Sequence, residues 1–256
     1  MFFIWLFVLI RHIRKKNIID CISYNIILKI KGIGTKKIFY EYFQHKYYPN
    51  EIYINGNYKS PVTYSYDLDQ TDNKIELVWY NLIDNCKSMF YNCINITEID
   101  LSNFDTSQVT TMESMFSQCK LLTSLNFANF NTSKVTDMYE MFYHCTSLIS
   151  LNLSNFDISK VIRISEMFYS CINLEYINME NFKEINLTIY DSMFNSVPDN
   201  IVICINKYNT RNIFQQIKNK KCYIEDCTDD WKLKRKKIID ETNKCINNCS
   251  DDIMYK

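Results

Sequence analysis

Cysteine is the residue type in this chain with the widest chemistry, because thiolates bind metals and two thiols form a disulfide. Four of the eleven cysteines recur at intervals of 26 residues: Cys93, Cys119, Cys145 and Cys171. Stacked at a strand spacing of about 4.8 Å, they would lie near disulfide reach and could offer ligands to a metal. They belong to an apolar stripe, however, and thiols in a row do not provide the tetrahedral arrangement of ligands that zinc requires. We therefore predict buried free thiols and no metal site.

Four further cysteines lie close to the C-terminus in two pairs, separated by four and by three residues. They are Cys222, Cys227, Cys245 and Cys249. Disulfides are the favoured interpretation if the chain is secreted, and zinc binding or free thiols are the alternatives. The gaps are wider than the two-residue gap of common zinc sites, and no histidine lies nearby. The compartment of the protein decides between these states.

Catalytic chemistry has little support in the sequence. The three histidines, His12, His45 and His144, lie in unrelated segments without a matching nucleophile or acid. The segment Gly32-Ile33-Gly34 lacks the third glycine and the lysine of phosphate-binding loops. We therefore expect a protein that is not an enzyme and needs no cofactor.

Charge and composition narrow the range of possible binding partners. The 29 basic and 29 acidic residues cancel, so no global field attracts nucleic acid or an anionic membrane, and we expect no nucleic-acid partner. With 47% hydrophobic side chains the chain can bury a substantial core. It has only three glycines, so we expect asparagine to supply the left-handed backbone positions that turns require.

An internal repeat of 26 residues organises the chain and predicts a stacked architecture. Its clearest mark is a series of Met-Phe pairs: Met89/Phe90, Met115/Phe116, Met141/Phe142, Met167/Phe168 and Met193/Phe194. Within one unit, Leu125 and Phe127 alternate with polar residues, which indicates a strand with one buried face. Apolar residues at spacings of three and four between Val135 and Cys145 indicate a short helix.

These patterns predict an α/β repeat fold, a leucine-rich-repeat-type solenoid with stacked parallel strands and short helices. We expect residues 75–205 to form the solenoid, with about five units followed by a terminal strand. The strand of the first unit contains Ile75 and Leu77. Residues 21–74 form an N-terminal β cap, in which Asn55-Gly56 predicts a hairpin turn. Residues 206–256 form a polar linker and a cysteine-bearing C-terminal tail. Residues 1–20 contain an apolar run followed by basic residues, interpreted as a signal or apolar leader.

Three segments of the repeat resemble the BspA-like family of leucine-rich-repeat surface proteins. They are Asn-Phe-Asn-Thr-Ser-Lys-Val-Thr-Asp-Met at 129–138, Met-Phe-Tyr-His-Cys-Thr-Ser-Leu at 141–148 and Leu-Asn-Leu-Ser-Asn-Phe-Asp at 151–157. The resemblance covers about residues 75–205, half of the chain. It implies a curved right-handed solenoid, secreted or displayed on a cell surface, with roles in adhesion and recognition and without catalysis.

Outward-facing strand residues are the candidate binding site. The strand periodicity places two polar rows on one concave surface: Glu98, Ser124, Ser150 and Tyr176 in the first, and Asp100, Asn126, Asn152 and Asn178 in the second. We expect an extracellular or cell-surface recognition and adhesion protein that binds a protein or glycan through this surface. The alternative is a cytoplasmic scaffold of the same fold. Membrane contact is expected only through the N-terminal leader or an anchor beyond the C-terminus.

Overall fold

The computed structural model describes residues 23–199, 201–205, 209–217 and 222–224. The predictions for the leader, for Cys227, Cys245 and Cys249 and for the side chain of Cys222 lie outside the described residues. No helix in the described ranges is both long and apolar enough to cross a membrane.

The N-terminal part is built from six strands. They are β1 (Tyr24–Lys31), β2 (Gly34–Lys37), β3 (Glu51–Ile54), β4 (Asn57–Lys59), β5 (Ser65–Leu68) and β6 (Asp72–Trp79). The hairpin predicted at Asn55-Gly56 is confirmed, because β3 pairs with β4 and both turn residues have positive φ, 51° and 80°. Strands β2 and β5 form a separate antiparallel ribbon.

The repeats contribute short strands at regular intervals. They are β7 (Ile96–Asp100), β8 (Ser124–Asn126), β9 (Ser150–Asn152) and β10 (Tyr176–Met179), followed by β11 (Val202–Ile205), the helix α1 (Arg211–Ile217) and β12 (Cys222–Ile224). One sheet has the order β4-β3-β6-β1-β7-β8, and the other has the order β12-β11-β10-β9. The first sheet is mixed, since its pairs are antiparallel except for β7 with β8.

The predicted fold class, a leucine-rich-repeat-type solenoid of stacked parallel strands and short helices, is wrong. Strand β1 is inserted between β6 and β7 and is antiparallel to both. Ile75 and Leu77, predicted to lie in the first stacked strand, belong to β6 and pair with Leu28 and Ile26 of β1. The N-terminal strands are therefore part of a mixed sheet instead of a cap on a parallel one.

The strands of the repeats also fail to form one continuous sheet, because β8 and β9 belong to different sheets. At this break the equivalent residues of successive repeats are Leu101, Phe127, Leu153 and Met179. Phe127 has the largest side chain of the four, and its ring packs against the neighbouring repeat, with centroids 6.3 Å from Phe142 and 5.1 Å from Phe156. Phenylalanine thus stands at the break, where the other repeats have leucine or methionine.

The predicted repeat helices are replaced by successive turns. Hydrogen bonds run from Met115 N–H to the Met112 carbonyl and from Cys119 N–H to the Phe116 carbonyl, three residues back. Other donors reach the next repeat, as Phe116 N–H does with the Met141 carbonyl at 3.0 Å. Apolar spacings of three fit such turns as well as a helix, which explains the error. Among the described residues, α1 is the α-helix.

Left-handed residues shape these turns. Two positions in each repeat have a positive φ between 53° and 64°, one directly before the Met-Phe pair and one two residues after it. Serine and glutamate are the commonest occupants. The expectation that asparagine would hold these positions is wrong, because Asn55 and Asn92 are the asparagines with positive φ in the described chain. A residue in this conformation cannot continue a right-handed helix, so it ends each turn.

The core of the repeats is a ladder of phenylalanine rings from the Met-Phe pairs. Successive centroids lie 5.9, 5.5, 5.7 and 5.4 Å apart in the series Phe90, Phe116, Phe142, Phe168 and Phe194. All five rings are buried. Parallel bridges join equivalent residues of successive repeats on the same side, from Asn85 to Ile189. Ring stacking and backbone pairing thus connect the turns around the Met-Phe pairs of successive repeats, including the second and third repeats, whose strands β8 and β9 are not paired.

Candidate binding surface on the six-stranded sheet

One face of the six-stranded sheet is polar because its central strands alternate. In β1, Ile26, Leu28 and Ile30 are buried, whereas Lys29 and Lys31 are exposed. Strand β6 follows the same rule, with exposed Asp72 and Lys74. The inward side chains anchor the sheet to the core, so the outward ones are held on a rigid support.

The strand register brings lysines of the N-terminal part next to carboxylates of the first repeat. Lys29 of β1 is paired with Lys74 on one side and with Glu98 on the other. Its Nζ lies 2.7 Å from Glu98 Oε2, with the two side chains 62% and 44% exposed. An ion pair this exposed contributes roughly 0–1 kcal/mol to stability, so its groups can be used for binding at little cost to the fold.

A second outward row crosses the same strands. Glu76, Ile27, Asp100 and Asn126 are consecutive partners in the register. Asn25 donates from Nδ2 to Glu76 Oε1 at 2.8 Å, and Asn126 donates from Nδ2 to Asp100 Oδ1 at 2.9 Å. These hydrogen bonds from side-chain amides hold the carboxylates of Glu76 and Asp100 in place on the sheet surface.

The two rows border a groove of about 770 Å³, referred to below as the sheet-face groove. Its lining includes four of the predicted binding residues, Glu98, Asp100, Ser124 and Asn126. Lys29, Lys31 and Lys74 line it as well, together with Asp72. The groove thus carries three lysines and three carboxylates, and Ile27, Ile30 and Ile99 add apolar surface to its lining. It suits a partner that offers both charges and some apolar surface.

Hydrogen bonds keep Asp100 ionised. Burial acts to raise the pKa of its carboxyl, but bonds from the Ser102 N–H, the Ser102 hydroxyl and the Asn126 amide outweigh it and lower the pKa. The N–H bond, from Ser102 to Asp100 Oδ1, measures 3.0 Å. Asp100 is therefore negative at neutral pH.

The second predicted row has a structural role that the sequence reasoning missed. Each of its side-chain oxygens accepts the N–H two residues further on and so closes a turn, with distances of 3.0 to 3.1 Å for Asp100, Asn126, Asn152 and Asn178. Asn178 is also only 3% exposed. Of this row, Asp100 and Asn126 line the groove.

The remaining predicted residues lie on the other sheet. Ser150 and Asn152 are in β9, and Tyr176 and Asn178 are in β10. Because β8 and β9 are not paired, the eight predicted residues are divided between two sheets. The prediction also missed the lysines of β1 and β6. Their alternation with apolar residues was visible in the sequence, but the insertion of β1 beside β7 was not.

The cysteine row is a set of buried thiols. Cys93, Cys119, Cys145 and Cys171 are free and buried, as is Cys86, which confirms that the row consists of buried free thiols. The Cys145 thiol donates to the Phe116 carbonyl at 3.1 Å, and its counterparts in the neighbouring repeats bond likewise. Burial raises the pKa of Cys119 and Cys171 to about 12. No cluster of metal-ligating side chains occurs within the described ranges.

Cys204 of β11 differs from these thiols, because it is disulfide-bonded.

Comparison with known proteins yields one family. A family model described as "Mycoplasma protein of unknown function, DUF285" matches residues 84–208. The matched segment begins just before the first Met-Phe pair and ends after β11, so it corresponds to the repeats and excludes β1 to β6. No curated protein and no solved structure matches the chain.

Proposed function

We propose that this chain is a non-enzymatic recognition and adhesion protein that binds a protein or glycan partner through the sheet-face groove. The observation that carries the proposal is the set of exposed charges on a rigid sheet. Lys29, Lys31 and Lys74 project from strands whose inward residues are buried, and they line the same groove as Glu98 and Asp100 of the first repeat. A preorganised polar surface loses little side-chain freedom on binding, which favours affinity.

We further propose that the protein acts outside the cell or at its surface. The disulfide at Cys204 supports this location, since disulfides persist in oxidising compartments. The resemblance of residues 129–157 to BspA-like surface proteins supports it too. A cytoplasmic scaffold, the alternative, would keep its cysteines reduced.

Binding is tested with a printed panel of secreted proteins and neutral and acidic glycans, probed with the fluorescently labelled chain. Lys29→Glu reverses one charge in the groove, and we expect it to weaken capture by the panel's ligands at least about tenfold, as for a disrupted charge pair. Lys160→Glu is the matched control, because it makes the same charge change at an exposed residue that does not line the groove. Ser124→Arg, which fills the groove, should act as Lys29→Glu does.

Asn126 is a poor choice for this test, since its side chain also closes a turn. Binding that survives both Lys29→Glu and Ser124→Arg would place the ligand elsewhere. A wild-type chain that captures nothing on the panel would count against the recognition function itself.

Location is tested by the intact mass of the protein from its native source, with alkylation of thiols before any reduction. Secretion predicts an alkylation-resistant Cys204 and glycan mass on acceptor triplets, which begin at Asn95, Asn131, Asn152, Asn186 and Asn248. A cytoplasmic scaffold would show neither, with Cys204 modified once the protein is denatured.

A further inference from the structure

A cluster of aromatic and acidic side chains, separate from the sheet-face groove, lies among the turns around the Met-Phe pairs of the third and fourth repeats. It consists of Tyr139, Glu140, Tyr143, Glu166 and Tyr169 and is called the turn-side cluster below. Glu140 and Glu166 occupy equivalent positions 26 residues apart, as do Tyr143 and Tyr169. The rings of Tyr143 and Tyr169 stack with centroids 5.1 Å apart and planes inclined by 15°. All five side chains are partly exposed, and none lines the sheet-face groove.

The cluster is negatively charged. Neither Glu140 nor Glu166 forms an ion pair with any described lysine, arginine or histidine. A hydrogen bond to Glu140, then burial and the nearby negative charges raise the pKa of Tyr139 to about 12. Burial, followed by the charge of Glu140, raises the pKa of Tyr143. The two carboxylates therefore lie beside the tyrosine rings and create a negative potential there.

A neighbouring arginine of the same chain is already held by a tyrosine ring and a carboxylate. The guanidinium carbon of Arg163 lies 3.4 Å from the ring centroid of Tyr139, and its Nη1 lies 3.7 Å from Asp137 Oδ2. One arginine is thus held by a tyrosine face and a carboxylate together. Tyr143 and Tyr169 with Glu140 and Glu166 offer the same groups without a described arginine of their own, although the His144 ring also packs against both tyrosines, with centroids 4.4 and 5.9 Å away.

A buried polar atom lies in the same column. Ser117 occupies the position equivalent to Tyr143 one repeat earlier, so its side chain leaves the backbone in the same direction. It is fully buried, and its hydroxyl is the buried side-chain polar atom that lacks a hydrogen-bond partner within the described structure. Next to it, the Ser114 hydroxyl donates to Glu140 Oε2 at 3.2 Å. The Ser117 hydroxyl is covered, so the polar groups that the cluster presents to a ligand are the partly exposed carboxylates of Glu140 and Glu166.

We propose that the turn-side cluster is a second interaction surface, which binds a guanidinium group of an arginine-containing segment of a protein partner. Charge complementarity selects a cation over a neutral or acidic ligand, because neither Glu140 nor Glu166 forms an ion pair with a described basic residue. The ring faces select a planar, weakly hydrated cation, and guanidinium has both properties. This surface goes beyond the sheet-face groove and does not depend on it.

The proposal is tested by NMR titration of the full chain with N-acetyl-arginine amide. The neutral isostere N-acetyl-citrulline amide serves as the control ligand. We expect arginine amide to shift the ring protons of Tyr143 and Tyr169 with a dissociation constant in the millimolar range, whereas citrulline amide leaves them in place.

The double variant Glu140→Gln with Glu166→Gln should weaken arginine amide binding about five- to tenfold. Glutamine tolerates this backbone, since Gln118 already has a φ of 64°. The matched control is Glu113→Gln with Asp191→Asn, which makes the same change in net charge at the positions equivalent to Tyr139 in the second and fifth repeats. That control should bind as the wild type does.

Three results would overturn the proposal. Arginine and citrulline amides could shift the two rings equally, the glutamine double variant could bind arginine amide normally, or the control variant could lose the same affinity. The last result would mean that only overall charge matters. Far-UV circular dichroism of each variant confirms that it folds before the titration is interpreted.

Discussion

Raising the pH from 7.5 to 9.5 should destabilise the fold, because five free cysteines are buried as neutral thiols. Desolvation holds the pKa of Cys93 and Cys145 well above the ordinary value of 9.0 and raises that of Cys119 and Cys171 to about 12. A group whose pKa is raised by folding stabilises the native state fully below its unfolded pKa. That contribution is lost as the pH rises towards the folded pKa.

The size of the effect follows from the unfolded thiol, which ionises freely around its pKa of 9.0. At pH 9.5 the ionisation stabilises the unfolded chain by about 0.8 kcal/mol per thiol relative to pH 7.5. The five buried thiols together should lower the free energy of unfolding by about 4 kcal/mol. A typical domain has a total stability of about 5–15 kcal/mol, so the change is large.

Urea unfolding followed by far-UV circular dichroism at both pH values, under anaerobic conditions without reductant, measures this loss. Cys145→Ala should start less stable at pH 7.5 but lose about 0.8 kcal/mol less between the two pH values. Leu148→Ala is the control, because it also opens a buried site but removes no titrating group. A fall below about 1 kcal/mol in the wild type, or an equal fall in Cys145→Ala, would refute the reasoning.

Two further predictions concern the packing of the repeats, and urea unfolding tests both. Thr132→Val removes the hydroxyl that bonds the Asp157 N–H at 2.7 Å and its carbonyl at 3.0 Å. We expect a loss of about 2–3 kcal/mol, against about 1 kcal/mol for Thr132→Ser, and equal losses would contradict this. Phe142 stacks between two rings and Phe194 against one. Phe142→Ala should cost about 4–5 kcal/mol and Phe194→Ala about 3 kcal/mol; a reversed order would count against the ladder.

Local patterns predicted local features correctly. The hairpin at Asn55-Gly56 follows from residues that favour positive φ, and the buried thiols of Cys119 and Cys145 follow from their place in an apolar column. The helix predicted from Val135 to Cys145 failed because consecutive three-residue turns bury the same side chains. Periodicity reports which residues face inward, and it does not distinguish two backbones that share that spacing.

The candidate site was predictable only in part for a similar reason. Glu98 and Ser124 were placed by strand alternation, and they line the groove. Their neighbours Lys29 and Lys74 come from strands far away in the sequence, and no local signal states that β1 pairs with β7. Asp100 and Asn126 looked like free binding groups, yet each closes a turn.

The amino-acid sequence by itself determined the 26-residue period, the inward-facing columns and the neutral overall charge, because each depends on residue type and spacing alone. The tertiary structure decided how the columns meet. Strand β1 enters the sheet between β6 and β7, and the bulk of Phe127 accompanies the break after β8. Such choices depend on which distant backbone groups pair and how large side chains fit between repeats. These same contacts bring three lysines into one groove with Glu98 and Asp100.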